Sequence, residues 1–377
     1  MHIVVVGAGI LGASTAFHLA RDGARVTVVD QAHEGRATAA GAGIICPWVS
    51  GADDAEFYRL YCEGGRYYGE LIPALAEIGQ TDLGYRQAGA LIVSDDGAEL
   101  AAFQRVLNRR SAETPEMGAI SLLTEKDAAG LFPPLRRDFG GVHVAGGARV
   151  DGRRMAAGLL RAARHFGAVV RVGRAELVVV VSRIAGVTLG DEVIAADCVV
   201  VAAGAWAPEM LQDIPLAIEP QRGQIVHLNL PGADTREWPV ILPPGSHYLV
   251  PFDDGRVVVG ATRESGVGFD YRVTAAGQAE VLVEALSVAP GLRAATIEET
   301  RVGFRPAGPG IRPLLGAVEH VAGLFVGNGL GAAGLTIGPF AGRLLADAVL
   351  GRTPALDLAP FDPLRRVSPI GRAAVLR

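Results

Sequence analysis

The chain has 377 residues, of which 50% are hydrophobic and 20% charged, a composition typical of a soluble globular protein rather than a fibrous or disordered one. This length predicts two domains, or one large domain with insertions. The formal net charge of -5 argues against a nucleic-acid-binding surface, which is strongly basic. Its three cysteines show no metal-ligand spacing, and we interpret them as reduced thiols of a cytoplasmic protein.

The first thirty residues predict a strand, a helix and a second strand. Residues 2–6 are an apolar, β-branched run typical of a buried parallel strand. Residues 13–22 predict a helix, and residues 25–30 predict a second strand that ends in Asp30. No basic segment or cleavage site precedes the first strand, so we expect no signal peptide.

A glycine motif, Gly7-x-Gly9-x-x-Gly12, lies between the first strand and the helix. Gly7 permits the tight turn, Gly9 lets the backbone approach a pyrophosphate, and Gly12 lets helix and strand pack closely. The helix start, with Ile10 and Leu11, offers free N–H groups and partial positive charge to phosphates. With the acidic residue that ends the second strand as a ribose acceptor, the pattern predicts a dinucleotide site. It does not separate FAD from NAD.

The rest of the chain alternates between helical and extended patterns. Helices are predicted at residues 54–77, 98–110, 153–166, 278–289 and 338–350. Strands are predicted at residues 87–94, 169–172, 177–181, 187–189, 199–202, 225–228, 248–251, 257–260 and 324–326. The nucleotide-binding pattern occurs at the start, middle and end, with antiparallel segments between, so we expect two domains threaded through each other.

One uncharged stretch, residues 321–342, is long enough to span a bilayer. It is rich in glycine and contains Asn328 and Pro339. We therefore interpret it as a strand, a glycine-rich loop and the start of a helix, and predict no membrane span.

Four further segments together resemble a known family. They are residues 35–43 (GRATAAGAG), 199–206 (VVVAAGAW), 303–306 (GFRP) and 327–336 (GNGLGAAGLT). With the N-terminal motif, they resemble the D-amino-acid oxidase superfamily of flavoproteins, particularly its glycine oxidase and D-amino-acid dehydrogenase branches. The resemblance covers nearly the whole chain in the family's order.

The resemblance implies an α/β fold with a Rossmann-like FAD-binding domain of the glutathione-reductase type, interleaved with an α+β substrate domain built on an antiparallel sheet. The expected FAD-binding domain comprises residues 1–85, 145–215 and 310–377, and the substrate domain comprises residues 86–144 and 216–309. The implied cofactor is FAD, bound non-covalently, because Cys198, the last cysteine, lies in a predicted buried strand.

The same resemblance implies which residues contact the cofactor. A loop of small residues would run along the pyrophosphate and flavin: Thr38, Ala39, Gly41, Ala42 and Gly43. A turn containing Gly204 and Trp206 would pass near the adenosine half. A C-terminal loop would hold the flavin ring, with a helix start that favours negative charge on the reduced ring; its residues are Leu330, Gly331, Ala332, Ala333, Gly334, Leu335 and Thr336.

The resemblance assigns substrate binding to Arg305, whose planar guanidinium would pair in a bidentate manner with a substrate carboxylate. Tyr248 matches a family tyrosine that also contacts the carboxylate. Trp48 is a weaker candidate for the pocket wall. His227, His247 and Arg263 lie near the same strands, and for each of them a structural role is the simpler interpretation.

We expect direct hydride transfer from the α-carbon of a glycine-type or D-amino acid to flavin N5, with the imino acid then hydrolysing. Alternatives are a secondary-amine substrate such as sarcosine or a proline derivative, a silent subunit of a larger flavin complex, and an NAD-dependent dehydrogenase. The acceptor would be oxygen or a quinone-type carrier, and a homo-oligomer is compatible with the sequence. Lys126, the single lysine, lies in a predicted surface helix, which argues against a sarcosine-oxidase-like role in oxygen activation.

Overall fold

The fold is seen in a computed structural model that describes residues 1–365. Its strands are β1 (His2–Val6), β2 (Arg25–Asp30), β3 (Ile44–Ile45), β4 (Ala90–Ser94), β5 (Ile120–Leu123), β6 (Gly140–Val144), β7 (Ala148–Arg149), β8 (Val169–Val172), β9 (Ala175–Val180), β10 (Arg183–Leu189), β11 (Glu192–Ala195), β12 (Cys198–Val201), β13 (Glu219–Asn229), β14 (Val240–Leu242), β15 (Tyr248–Pro251), β16 (Arg256–Gly260), β17 (Thr296–Ala307), β18 (Leu314–Ala317) and β19 (Leu324–Asn328).

The α-helices are α1 (Ile10–Arg21), α2 (Ala37–Ala40), α3 (Ala55–Glu77), α4 (Gly97–Arg110), α5 (Glu125–Leu131), α6 (Gly152–His165), α7 (Ala207–Met210), α8 (Ala275–Val288) and α9 (Gly334–Val349). Short 3₁₀ turns occur at Pro47–Val49, Pro115–Met117, Gly204–Trp206, Pro290–Ala294, Gly331–Ala333 and Ala359–Phe361. In the described part of the chain, no helix is both long and apolar enough to cross a membrane. The stretch 321–342 forms β19, a turn and the start of α9, as predicted.

A six-stranded sheet has the order β18-β19-β12-β1-β2-β8, and all its pairings are parallel except that of β18 with β19. The apolar runs of β1 and β12 are buried at its centre, which explains why they consist of β-branched residues without alternation. Helices α1, α6 and α9 pack together and contribute to one shared core. The predicted Rossmann-like sheet is confirmed.

A second sheet of eight strands has the order β17-β13-β16-β15-β14-β4-β6-β5. Its pairings are antiparallel except for the parallel pair β14 and β4. Val257 and Val259 of β16 enter the core that also contains residues of α5 and α8, while Val258 enters a different core with residues of α4. This alternation buries both faces of the sheet. The predicted α/β class with an antiparallel second sheet is confirmed, with that one parallel pairing as a difference.

The strands of the six-stranded sheet all fall within residues 1–85, 145–215 and 310–377, and those of the eight-stranded sheet within 86–144 and 216–309. The exact domain boundaries stay a prediction. A small antiparallel sheet of β9, β10 and β11 and a two-stranded pair of β3 and β7 complete the strand pairing.

Two long strands differ most from the sequence-based expectation. β17 was not predicted, and β13 begins six residues before the predicted residue 225. Pro220 lies opposite Pro306, and Gly223 lies opposite Gly303, in the pairing of these strands. Prolines and glycines are poor strand formers, so the local pattern did not reveal strands that the cross-strand pairing stabilises.

Helix α9 begins four residues before the predicted residue 338 and contains Pro339. A proline in a helix leaves the carbonyl four residues earlier without its usual N–H partner. Here that carbonyl belongs to Leu335, and the buried Tyr68 hydroxyl of α3 donates a hydrogen bond to it. The Ser14 hydroxyl of α1 donates to the carbonyl of Pro339. The two neighbouring helices therefore support the proline-containing turn.

Candidate functional site

A cavity of about 1030 Å³ is lined by residues from both large sheets. One part of its wall comes from the turn after β1, the loop around α2, and the turn before α9. Another part comes from β13, β15 and β17 of the eight-stranded sheet. The cavity is large enough for a cofactor of dinucleotide size with a small substrate.

The turn between β1 and α1 brings a helix start to the cavity. Gly7 has φ of +106°, and an added Cβ there would lie 2.3 Å from the carbonyl oxygen of Ala202. A Cβ at Gly12 would lie 2.0 Å from the carbonyl oxygen of Gly7. Gly9 is the N-cap of α1 and itself has no side chain that could cap the helix. The start of α1 is therefore accessible to an anionic group.

Asp30 lies at the end of β2 and lines the cavity, as expected for a ribose acceptor. Its carboxylate accepts hydrogen bonds from the backbone N–H groups of Ala8 and Ala32, at 2.6 and 2.7 Å. Arg36 lies 3.3 Å from the same carboxylate. These contacts hold the carboxylate beside the glycine turn.

The small-residue loop lies along the cavity wall. Thr38 accepts a hydrogen bond from the backbone N–H of Ile10 at 3.0 Å, which ties the loop to the start of α1. Gly43 has φ of +87°, and a Cβ there would lie 1.8 Å from the carbonyl oxygen of Val150. Any larger residue at this position would push the loop out of place.

The turn Gly331–Ala333 and the start of α9 form another part of the wall. Ala333 is the N-cap of α9 and, within residues 1–365, receives no side-chain cap. Gly331 and Gly204 both line the cavity, and a Cβ at either would meet no protein atom within 4 Å. The missing side chains at these two glycines leave room for a ligand.

Trp206 lines the cavity and stacks on His33, with ring centroids 4.4 Å apart and planes within 1°. Phe269 also stacks against Trp206, with ring centroids 4.9 Å apart. His33, which carries no recognisable sequence signal, was missed.

Most of the sequence-predicted cofactor residues line this single cavity: Gly7, Gly9, Ile10, Leu11, Asp30, Thr38, Gly41, Ala42, Gly43, Gly204, Trp206, Leu330, Gly331, Ala332, Gly334 and Leu335. Four others do not: Gly12, Ala39, Ala333 and Thr336. Gly12 serves helix packing, and the buried Thr336 hydroxyl donates to the carbonyl of Ile44 at 2.9 Å. For these two residues the observed role is structural.

These features fit FAD. Two helix starts whose N-cap residues, Gly9 and Ala333, provide no side-chain cap can donate hydrogen bonds to phosphate or ring oxygens. An acidic residue, Asp30, can accept hydrogen bonds from a ribose. Gly204 and Gly331 have no side chains, which leaves open the part of the cavity that they line. A covalent link through the cavity-lining Cys46 is disfavoured, because burial raises the pKa of its thiol to about 12 and so removes the reactive thiolate.

Arg305 and Tyr248, the predicted substrate residues, line the same cavity. One N–H of the Arg305 guanidinium donates to the carbonyl of Thr262 at 3.0 Å. Burial raises the pKa of the Tyr248 hydroxyl, while Arg305 and Arg263 oppose that shift by favouring its anion. The structure thus brings two arginines and a tyrosine together on one section of wall.

A buried polar network lies behind Arg305. The carboxylate of Glu264 accepts hydrogen bonds from Thr262 at 2.7 Å and from Gln224 at 2.8 Å. Arg222, which is only 4% exposed, also donates to Glu264 and pairs with Asp270. The pKa of Glu264 is lowered because these hydrogen bonds outweigh the cost of its burial. The network fixes the carbonyl that holds Arg305, and no local sequence pattern indicates it.

Other candidates are placed differently. Trp48 is buried in a hydrophobic core, 3% exposed, and does not line the cavity, so it packs rather than binds. His227 is also buried away from the cavity, near Glu299. His247 and Arg263 do line the cavity.

Comparisons with known proteins agree with this site. The family model described as FAD dependent oxidoreductase matches residues 2–348. The crystal structure of iminodiacetate oxidase (IdaA) from Chelativorans sp. BNC1 superposes with a TM-score of 0.93 at 52% identity, covering 96% of this chain and 98% of that one. An uncharacterized oxidoreductase of Bacillus subtilis (strain 168), YurR, is 47% identical over 96% of this chain and 98% of its own length. The glycine oxidase of Pseudomonas aeruginosa (strain PAO1) is 30% identical over 97% of this chain and 99% of its own length.

The fold and the cavity define a flavin-dependent enzyme that acts on carbon–nitrogen bonds. The chain belongs to the DAO family of FAD-dependent oxidoreductases, and its substrates are amines or amino acids. This result excludes the alternative of an NAD-dependent dehydrogenase.

Proposed function

We propose that this enzyme oxidises the carbon–nitrogen bond of a small amino acid whose carboxylate pairs with Arg305. The observation behind the proposal is that the Arg305 guanidinium lines the cavity. Among residues 1–365 it forms no ion pair with a carboxylate, and its hydrogen bond goes to the carbonyl of Thr262. A partly buried cation without an anionic partner is unfavourable, so an anionic ligand would complete the site. Tyr248 beside it would donate a second hydrogen bond to the same carboxylate.

The cofactor-holding residues are proposed to be those that line the cavity around the starts of α1 and α9. Bound FAD supplies a two-electron acceptor for the oxidation. The chain itself binds the carboxylate, orients the neighbouring carbon and excludes water, contributions that lower the barrier without a dedicated base. Hydride transfer from the carbon beside a neutral amine is the mechanism that this arrangement supports.

A secondary amine is a second candidate substrate class, and the name of one relative supports it. The iminodiacetate oxidase, a relative 52% identical over nearly the whole of both chains, is named for a substrate whose nitrogen bears two carbon substituents. Glycine oxidases are more distant, at 30% identity or below. We therefore place N-substituted amino acids ahead of glycine and D-amino acids.

The electron acceptor is proposed to be oxygen or a quinone-type carrier. Lys126 is exposed on α5 and does not line the cavity, which supports the view that it plays no part in oxygen activation. A requirement for a partner subunit would show as an inactive pure protein that gains activity when the partner is added.

The proposal predicts the behaviour of Arg305→Ala and Arg305→Lys. Loss of a bidentate, charge-assisted pair costs about 1.5–3 kcal/mol or more. We therefore expect KM for a carboxylate substrate to rise ~10 to 100-fold, with Arg305→Lys intermediate because an ammonium cannot pair in a bidentate manner. Flavin content should remain that of the unaltered enzyme.

The measurement is anaerobic bleaching of the bound flavin, with glycine, D-amino acids, L-amino acids and N-methyl amino acids tested separately, followed by steady-state kinetics on the best substrate. Arg154→Ala is the matched control, since Arg154 is surface-exposed and pairs with Asp82 outside the cavity. An Arg305→Ala enzyme with unchanged KM would rule out the assignment of the carboxylate to this residue.

A further inference from the structure

A second arginine lies beside the proposed carboxylate site. Arg263 lines the same cavity, and its Nε is buried with no hydrogen-bond partner in the part of the chain that the structure describes. Arg305 is close enough to contribute, together with burial, to lowering the pKa of Arg263. Among residues 1–365, neither guanidinium forms an ion pair with a carboxylate.

Three other arginines with little solvent exposure are neutralised by carboxylates of the protein. Arg149 pairs with Asp253 at 2.7 Å, Arg222 with Glu264, and Arg256 with Asp151 at 3.0 Å. Burial of a charge is costly unless it is paired. Arg263 and Arg305 are thus two neighbouring cations on one cavity wall, and within residues 1–365 neither is paired with a protein carboxylate.

Five carboxylates line the cavity, and within residues 1–365 none of them forms an ion pair with these two arginines: Asp30, Glu99, Glu176, Glu209 and Asp213. Glu176, Glu209 and Asp213 are exposed, and Glu176 pairs with Arg174. Asp30 is engaged by backbone N–H groups at the end of β2. Glu99 is exposed and accepts a hydrogen bond from the Ser94 hydroxyl at 2.8 Å. A ligand with one carboxylate would neutralise one of the two guanidiniums and leave the other unpaired, whereas a ligand with two carboxylates would neutralise both.

We propose that Arg263 binds a second substrate carboxylate, and that the substrate is a dicarboxylic secondary amine with one carboxylate on each side of the nitrogen. This inference rests on the proposed function, since Arg305 takes the carboxylate next to the oxidised carbon. Arg263 is then the residue that sets specificity between substrates with one and two carboxylates.

The reaction on such a substrate balances with FAD as the oxidant. A methylene hydrogen leaves with its electron pair to FAD, the nitrogen lone pair forms the C=N bond, and the N–H proton is released. Water adds to the C=N carbon, and the carbon–nitrogen bond breaks. With iminodiacetate the products are glyoxylate and glycine, and FAD is reduced by two electrons.

The test compares iminodiacetate with sarcosine, which has one carboxylate and a methyl group in place of the second. In the unaltered holoenzyme we expect the larger kcat/KM with iminodiacetate. In Arg263→Met we expect the ratio of kcat/KM for iminodiacetate over sarcosine to fall ~10 to 100-fold, the effect of losing one charge-assisted hydrogen-bonded pair. Arg263→Lys should retain part of the preference, and the surface variant Arg154→Met should retain all of it.

A binding measurement tests the same residue without turnover. Thiodiacetate and (methylthio)acetate replace the amine by sulfur, and their binding can be followed by the visible spectrum of the bound flavin. We expect thiodiacetate to bind more tightly to the unaltered holoenzyme, and this advantage to disappear in Arg263→Met. Equal binding of the two ligands to the unaltered enzyme would overturn the proposal, as would a kcat/KM ratio that Arg263→Met leaves within twofold.

Flavin bleaching with the set of amine substrates distinguishes failure of this inference from failure of the proposed function. If sarcosine or glycine bleaches the flavin but Arg263→Met does not alter the ratio, only the second carboxylate site is wrong. If no amine in the panel bleaches the flavin, the proposed function itself fails. Bleaching by D- or L-aspartate in preference to iminodiacetate would overturn the assignment of a carboxylate to each side of the nitrogen.

Discussion

The position of the Arg305 guanidinium depends on a glycine in the neighbouring strand. In the pairing of β13 with β17, Gln221 lies opposite Arg305 and Gly223 lies opposite Gly303. A Cβ added at Gly223 would come within 2.6 Å of both terminal nitrogens of Arg305. The guanidinium therefore lies across the backbone of Gly223, where only a hydrogen atom fits.

We expect Gly223→Ala to fold normally but to displace this guanidinium, because the atoms in the way are the far end of a flexible side chain. KM for the carboxylate substrate should rise ~10-fold or more, comparable to loss of one charge-assisted hydrogen bond, while flavin content stays unchanged. Steady-state kinetics and the flavin absorbance of the purified enzyme measure these effects.

Gly69→Ala provides the control for this substitution. Gly69 lies in α3, and a Cβ there would meet nothing within 4 Å. An alanine in a helix interior is favourable by roughly 0.5–1 kcal/mol, so this variant should be as active as the unaltered enzyme. If Gly223→Ala has the same KM as Gly69→Ala, substrate binding does not depend on the position of the Arg305 guanidinium seen in the structure.

At the scale of elements, the crossing of α1 and α9 brings two helix starts to the cavity. A Cβ at Gly342 would lie 2.6 Å from Cβ of Ser14, and a Cβ at Gly338 would lie 2.7 Å from a methyl carbon of Ile10. At these two glycines, the backbone of α9 therefore lies directly against side chains of α1. Their close approach, rather than either helix alone, brings the two N-termini to one cavity.

Gly342→Ala should force these helices apart. Overpacking of a buried contact costs typically about 1–3 kcal/mol, so we expect the free energy of unfolding to fall by that amount, measured by urea denaturation of the flavin-free protein. Gly130→Ala in α5, where a Cβ meets nothing within 4 Å, should not lose stability. Equal unfolding midpoints for the two variants would contradict this account of the crossing.

At the scale of the whole molecule, the cavity joins segments that are far apart in the chain. Its lining runs from Val6 to Leu335 and includes strands of both large sheets. A ligand that contacts all of these segments binds the folded state alone. Its binding free energy therefore adds to the stability of the fold.

Removal of FAD should consequently lower the thermal unfolding midpoint by several degrees. A ligand present at 1,000 times its Kd stabilises by about 4 kcal/mol. Riboflavin lacks the adenosine half and leaves part of the cavity unfilled. At the same concentration it should therefore raise the thermal unfolding midpoint of the stripped protein less than FAD does. Circular dichroism melts of stripped and reconstituted protein measure this, and identical midpoints with and without FAD would contradict a cofactor that spans the cavity.

Local sequence patterns were sufficient for the first strand–helix–strand unit of the molecule. β1, α1 and β2 follow from an apolar run, three spaced glycines and a terminal acid, and each signal acts within a few residues. The resemblance to the flavoprotein family added FAD, and it brought Arg305 and Tyr248 forward as substrate residues. The predicted family, cofactor and fold class are confirmed, while the individual site residues stay predictions.

The amino-acid sequence by itself determined the βαβ unit, because that unit depends on contiguous motifs. Its resemblance to the flavoprotein family indicated FAD and the arginine proposed to bind a carboxylate. Only the tertiary structure decided that Gly223 makes room for Arg305 across a strand pair, that β17 is a strand despite its glycine and proline, and that Arg263 faces the cavity while His227 does not. Strand pairing joins residues that are distant in the chain, and the direction of a side chain depends on that pairing. No local pattern carries this information.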